Sequence, residues 1–168
     1  MRKYVSTKLY KEIGSVAYRQ WRADSHCRLL HGYALSFYFE FESTTVDVRN
    51  WVVDYGSLGG LKENLKEWFD HTLLVAEDDP DRAVFENLQT LGLARVQLVE
   101  KTGCEGLADF LIEYVDAWLD ENGYKTEDHY VNVRKVSVRE TENNMAFVEN
   151  EPELRTTSGR AVLQVKEK

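Results

Sequence analysis

The chain is poor in proline and cysteine, with two of each among 168 residues. No stretch is rich enough in Pro and Gly to act as a linker. Two cysteines, Cys27 and Cys104, are too few for a disulfide framework. No apolar run approaches the roughly 18 residues that a membrane-spanning helix needs. Positive charge is in deficit: Lys and Arg total 21 against 29 Asp and Glu, a formal net charge of -8. A field of that sign repels phosphate backbones and argues against a nucleic-acid partner. There is no low-complexity tract, and no internal repeat of the kind that builds a solenoid. The first residues, Met1-Arg2-Lys3-Tyr4, lead into mixed polar sequence without an apolar signal region. The expectation is a cytoplasmic protein with reduced thiols, partnered by neither nucleic acid nor membrane.

Hydrophobic residues make up 43% and aromatics 12%, which excludes general disorder. At this length one domain can bury roughly 68–70% of its unfolded surface, so folding needs no disulfide or metal. Residues 1–149 read as one unit. Residues 150–168 read as an extension: a polar loop, then a short strand at Ala161 to Val165.

The clearest strand is His31 to Glu42, where Tyr33, Leu35, Phe37, Phe39 and Phe41 fall on one face. Strict alternation means a strand with one buried face. Val5 to Leu9 alternates similarly, and a further strand runs from about Ala94 to Glu100. In the last, Tyr130 to Glu140, Val131 and Val133 have one parity and Val136 and Val138 the other. That switch predicts a bulge near Arg134-Lys135. Helical spacing links Leu58, Leu61, Leu65 and Trp68, with Ser57 as the expected N-cap. It also links Leu107, Phe110, Leu111, Tyr114, Trp118 and Leu119, ending at Asn122-Gly123. The pattern predicts an α+β domain: an antiparallel sheet with two helices on one face. The other face then lacks a cover, and a homo-oligomer would supply one.

Four places carry reactive side chains. Cys27 precedes His31 by four residues at the mouth of the first long strand, with His26 beside it. A thiol becomes a useful base only when its pKa falls from about 8.5 towards 7; the plain alternative is a buried cysteine and a surface histidine. Asp70-His71 closes the first helix. At a frayed end the two can converge, the carboxylate orienting the ring, or the histidine can simply face the helix's negative end. Glu105, at the start of the second helix, is favoured there by the helix dipole alone. Glu140 has the parity of Val136 and Val138 at a strand end, and a carboxylate on an apolar face is costly unless paired.

These places, in this order, resemble the 6-pyruvoyl-tetrahydropterin synthase family, and within it 6-carboxytetrahydropterin synthase of queuosine (7-deazaguanine) biosynthesis. The likeness runs over about residues 4–149. It is carried by Ser15-Val16-Ala17-Tyr18-Arg19, by Cys27 through Tyr33, by Val52-Val53-Asp54-Tyr55 and by Asp70-His71 followed by Leu73-Leu74 and Glu77-Asp78-Asp79-Pro80. Thr102-Gly103-Cys104-Glu105 and Glu140-Thr141 complete it. The resemblance implies the tunnelling fold, in which subunits join their sheets into a barrel, usually as two stacked trimers. It implies 7,8-dihydroneopterin triphosphate as substrate, with loss of triphosphate and acetaldehyde. It assigns Cys27 and His71, oriented by Asp70, to acid–base work, Glu140 to the pterin's guanidine-like edge and Glu105 to holding the ring or side chain.

The same resemblance implies a zinc ion on three histidines, but here Tyr18 and Tyr33 stand at the first and third positions and His31 alone remains. A neutral phenol is a poor zinc ligand. His26 is a possible substitute, which leaves zinc doubtful. Tyrosine hydroxyls together with Arg19 or Arg28 are the donors expected in the metal's place. Three functions remain open: a synthase of this type, an altered enzyme on another pterin or deazaguanine precursor, and a non-catalytic pterin- or purine-binding oligomer.

Overall fold

A computed structural model describes residues 2–150. The strand expected at 161–165 lies outside them. The described residues form a six-stranded mixed sheet and three α-helices. In chain order these are β1 (Tyr4–Tyr18), β2 (His31–Ser43), α1 (Gly59–Phe69), β3 (Thr72–Ala76) and α2 (Arg82–Thr90), then β4 (Val96–Val99), α3 (Cys104–Glu121), β5 (Asn132–Arg139) and β6 (Met145–Glu149). The sheet order is β4-β3-β1-β2-β5-β6.

The four strands β1, β2, β5 and β6 pair antiparallel, as the alternation predicts. The sheet as a whole does not. Strand β3 runs parallel to β1, and β4 parallel to β3, across the helical connection α2. The expectation of a wholly antiparallel sheet with two helices is corrected here. All five residues of β3 are buried because both of its faces are covered. Leu74 joins the main core on one side. Leu73 and Val75 pack with Phe85 of α2 on the other, against Leu88, Val96 and Leu98. A strand covered on both faces shows no alternation, and so reads as an undifferentiated apolar run.

Leu35, Phe37, Phe39 and Phe41 on β2 are fully buried under α1 and α3. From α1 come Leu61, Leu65 and Phe69, and from α3 Leu107, Leu111, Val115 and Leu119. Phe37 packs on Phe69 with ring centroids 4.9 Å apart and the rings tilted by 40°. The predicted bulge on β5 is present: Glu40 pairs with Lys135 but Phe41 with Val133, which leaves Arg134 as the extra residue. A second irregularity lengthens β1 beyond its expected span. Tyr10 pairs with Phe37 and Gly14 with Leu35, so β1 gains two residues there and its parity survives. Ser57 does not cap α1. Leu58 is the N-cap without a side-chain bond, and the Ser57 hydroxyl donates to the Asp54 carbonyl at 2.7 Å. Asn122 and Gly123 (φ +78°) end α3 as expected.

The outward face of the antiparallel part stays open in the single chain. Leu9, Met145 and Phe147 are each at least half exposed there. Leu9 and Met145 line a hollow of about 550 Å³ there, together with Tyr38, Lys135 and Arg139.

Candidate functional site

The ends of β1 and β2 and the loop after β5 converge on one cluster. Tyr18 pairs with His31 across the β1–β2 ladder, and Val16 with Tyr33. Their even and odd positions put Tyr18 and Tyr33 on the core side, where the rings of Tyr18, His31 and Tyr33 meet. Centroid separations are 5.5 Å for Tyr18–His31, 5.7 Å for Tyr18–Tyr33 and 5.2 Å for His31–Tyr33. Tyr18 is fully buried, and its hydroxyl donates to Oε1 of Glu140. The two residues are 122 apart in sequence. Parity therefore placed Glu140 correctly: it follows Val136 and Val138 onto the inner side, where it finds a donor.

The electrostatics of the cluster follow from that carboxylate. Burial, then the bond to Glu140, push the Tyr18 phenol far above its ordinary range. Burial first, then the Glu140 and Cys27 charges, raise Tyr33. Burial, reinforced by Glu140 and Glu105, pushes the Cys104 thiol up to about 12. Cys104 is thus a buried neutral thiol at the head of α3. Among the described residues no Lys or Arg forms an ion pair with Glu140; the groups around it are neutral donors.

Cys27 lies in a 3-10 turn, His26–Arg28, at the edge of this cluster. The turn is fixed by Ser25, whose hydroxyl accepts from the Cys27 N–H at 3.3 Å, and by the Gln20 N–H on the Cys27 carbonyl at 2.9 Å. Cys27 is half-buried and within electrostatic reach of Tyr33. His31 holds its Nδ1 2.6 Å from the Leu29 carbonyl. His26 stands exposed in the same turn.

Asp70 and His71 do converge, as a frayed helix end allows. His71 adopts φ +54°, and its Nδ1 lies 3.0 Å from Asp70 Oδ1. That hydrogen bond, ahead of all other causes, lowers the Asp70 carboxyl. The Ser15 N–H also supports the carboxylate, placing the pair about three residues, or roughly 10 Å, along β1 from Tyr18. The His71 side chain is 85% exposed. Glu105 is exposed as well. It lines a hollow of about 340 Å³ with Gln20, Trp21, Arg22, Asp78 and Thr102.

One expected donor is engaged elsewhere. Arg19 binds Asp79 through Nε at 2.9 Å and Nη2 at 2.5 Å, and reaches Asp81 at 2.7 Å. It therefore clamps the end of β1 to the loop before α2 instead of entering the cluster. Missed by local reading were the Tyr18–Glu140 bond and the position of Cys104 against Glu140. Neither has a short-range signal.

A family model described as 6-pyruvoyl tetrahydropterin synthase matches residues 11–151. The chain belongs to that family. The sequence-based expectation of the family is thereby confirmed, and solved structures agree on the fold. An uncharacterized protein from Wolinella succinogenes superposes with a TM-score of 0.75 at 22% identity, covering 90% of this chain and 100% of the other. A catalytic-residue mutant of the Plasmodium vivax 6-pyruvoyltetrahydropterin synthase gives 0.63 at 14% identity, covering 89% and 99%. The Caenorhabditis elegans 6-pyruvoyl tetrahydropterin synthase gives 0.57 at 15% identity, covering 90% and 98%. A search of curated proteins returns no match. Among the described residues, no helix of this tetrahydropterin synthase family member is long and apolar enough to cross a membrane.

Proposed function

We propose that the chain is a tetrahydropterin synthase-type lyase of the 6-carboxytetrahydropterin synthase kind, acting on 7,8-dihydroneopterin triphosphate in the cytoplasm. One observation carries the reading. Glu140 is a half-buried carboxylate, within the family's domain, ringed by neutral donors and lacking a cationic partner among the described residues. A ligand edge with two parallel N–H groups, as on the pyrimidine end of a pterin, supplies what such a carboxylate lacks. Cys27, within electrostatic reach of Tyr33, would move a proton on the substrate side chain. His71, oriented by Asp70, would be its acid–base partner, and Glu105 would hold the ring or side chain from the rim.

The His71 imidazole, exposed on one chain, would be presented to Cys27 by another copy in a homo-oligomer, a trimer or hexamer. The open outer face, with Leu9, Met145 and Phe147, offers the surface for one.

The family's zinc does not fit the donors present. Of the three side chains at its position, His31 alone offers an imidazole. The Tyr18 phenol is buried, raised far above neutrality and given to Glu140, so it cannot serve as a phenolate ligand. His26 is exposed in its turn. The reading is accordingly of an enzyme that works without the metal, the hydroxyls of Tyr18 and Tyr33 being the polar groups at that position.

A second reading rests on the same Tyr18–Glu140 bond: an oligomer that binds a pterin or purine without turning it over. Incubating the purified protein with 7,8-dihydroneopterin triphosphate, with and without zinc, separates the two. The synthase reading expects 6-carboxytetrahydropterin and acetaldehyde in both conditions. Binding without product in either would leave the second.

A further inference from the structure

Glu140 is held from two ends. Its backbone N–H donates to the Asn144 carbonyl at 3.1 Å, across the turn that joins β5 to β6. That turn is itself tied: the Thr141 hydroxyl accepts from the Asn144 N–H at 3.1 Å, and Arg139 Nη1 donates to the Glu142 carbonyl at 2.6 Å. At the far end of the side chain, Oε1 accepts the Tyr18 hydroxyl, and the Cys104 thiol lies against the same carboxylate. Tyr18 is a fixed donor. Its backbone is paired with His31 on β2, its ring packs against the rings of His31 and Tyr33, and none of it reaches solvent. The next residue, Arg19, is pinned to Asp79, and its carbonyl accepts from the Thr102 hydroxyl at 2.8 Å. The phenol is therefore aimed at the carboxylate and stays there. It leaves capacity for a ligand, because an ionised carboxylate has about four lone-pair sites and one hydroxyl takes one of them. Glu140 is only half-buried, so the remaining sites can be approached.

We propose that Tyr18 is a positioning residue for Glu140: its hydroxyl sets the plane of the carboxylate so that two parallel donors on one ligand edge can reach it together. This rests on the reading of Glu140 as the pterin anchor and gives the source of that anchor's selectivity. The terminal torsion of a glutamate is broad, and a free carboxylate turns readily. A single donor can follow it through that rotation. A two-donor, amidine-like edge cannot, since both bonds form only in one plane. Fixing the plane beforehand spares such a ligand the ordering of the side chain, and so favours two-donor edges over single donors. The raised Tyr18 phenol agrees with this, since it remains a neutral donor across the working pH range. Tyr18, at the position of the family's first zinc histidine, thus serves the ligand's ring edge and not a metal.

The test uses the full chain and two probes, 7,8-dihydroneopterin and its 2-oxo analogue, in which a carbonyl replaces the 2-amino donor. Affinities are measured by isothermal titration calorimetry for the wild type, Tyr18→Phe and Glu140→Gln, and read as the preference for the two-donor probe. Tyr18→Phe is expected to lower that preference roughly threefold to tenfold, mainly by weakening 7,8-dihydroneopterin. Glu140→Gln is expected to abolish it. A merely structural Tyr18 would weaken both probes by the same factor. A preference unchanged or raised in Tyr18→Phe but lost in Glu140→Gln would overturn the positioning role and leave the anchor standing. A preference that survives Glu140→Gln, or a wild type that shows no preference or binds neither probe, would overturn both. A second measurement needs no variant and holds even if Tyr18→Phe fails to fold. A buried phenol proton on a carboxylate is protected from exchange and should give a downfield proton resonance in the free protein. A positioning hydroxyl keeps its bond when the ligand arrives, so the resonance should persist on saturation with 7,8-dihydroneopterin. Its absence from the free protein, or its loss in the complex, would overturn the role.

Discussion

Replacing Arg19 by Met should destabilise the chain by about 3 kcal/mol. Asp79 is the reason. Its side chain is 2% exposed, yet it carries a charge held by Arg19 on both oxygens, with the Asp81 N–H on Oδ1 at 2.9 Å. Arg19, 19% exposed, is nearly as well shielded, so solvent screens the pair little. Removing one partner of a buried pair typically costs 3–5 kcal/mol, roughly, because the other charge is left stranded. The surviving Asp81 N–H bond argues for the lower end of that range. Methionine keeps contact with Phe85, over which the guanidinium now sits at 5.3 Å, so lost packing contributes little. The assay is urea unfolding followed by tryptophan fluorescence, with the midpoint read at constant slope. The pH dependence supplies a second check. Arg19 lowers the Asp79 carboxyl in the folded state, so the pair's stabilisation is present above the unfolded pKa of about 3.9. It is lost as pH falls through the lowered folded value. In Arg19→Met the carboxyl is stranded, and protonation relieves it. The gap between wild type and variant should therefore narrow from pH 7 towards pH 4. A loss below about 1 kcal/mol, or a gap that widens on acidification, would refute the argument.

Three further outcomes follow from the packing and the site. In the native protein iodoacetamide should label Cys27 and spare Cys104, which is 6% exposed with its thiol pushed up to about 12; equal labelling, read by peptide mass spectrometry, would contradict the burial. Phe37→Ala should cost about 3–5 kcal/mol in the same urea assay, because a fully buried ring packed against Phe69 leaves a cavity that the sheet cannot close. Gly103→Ala should cost about 1–3 kcal/mol, since Gly103 sits at φ +94° and a Cβ there would strike the Gln20 side chain; a neutral result would show that the loop before α3 has freedom to shift.

What the sequence disclosed was local and periodic. Five alternating residues of β2, from Tyr33 to Phe41, made its buried face plain, and the parity switch marked a bulge near Arg134-Lys135, where Arg134 proves to be the extra residue. The same counting placed Glu140 on the inner side before any partner for it was known. Periodicity fails where both faces are covered. Strand β3 is buried throughout, so Thr72 to Ala76 gives no two-residue rhythm. It also fails where a helix is short: α2 turns Phe85 inward but leaves Val84 and Leu91 exposed, which blurs its stripe. In β6 the alternation of Met145 and Phe147 outward with Ala146 and Val148 inward spans only five residues. Asp70 and His71 are sequence neighbours, so their meeting could be foreseen. Tyr18 and Glu140 are brought together only by the β1–β2–β5 ladder, and Arg19 and Asp79 only by the turn into α2. The motif order singled out the candidate residues, whereas the pairings among them came from the folded chain.

The anchoring role of Glu140 is tested most directly by titrating 7,8-dihydroneopterin triphosphate into the wild type and into Glu140→Gln under identical buffer and temperature. Replacing the carboxylate by a carboxamide removes the charge and one acceptor with almost no change of shape, and should weaken binding roughly 30- to 100-fold. Equal affinities for the two proteins would contradict the account.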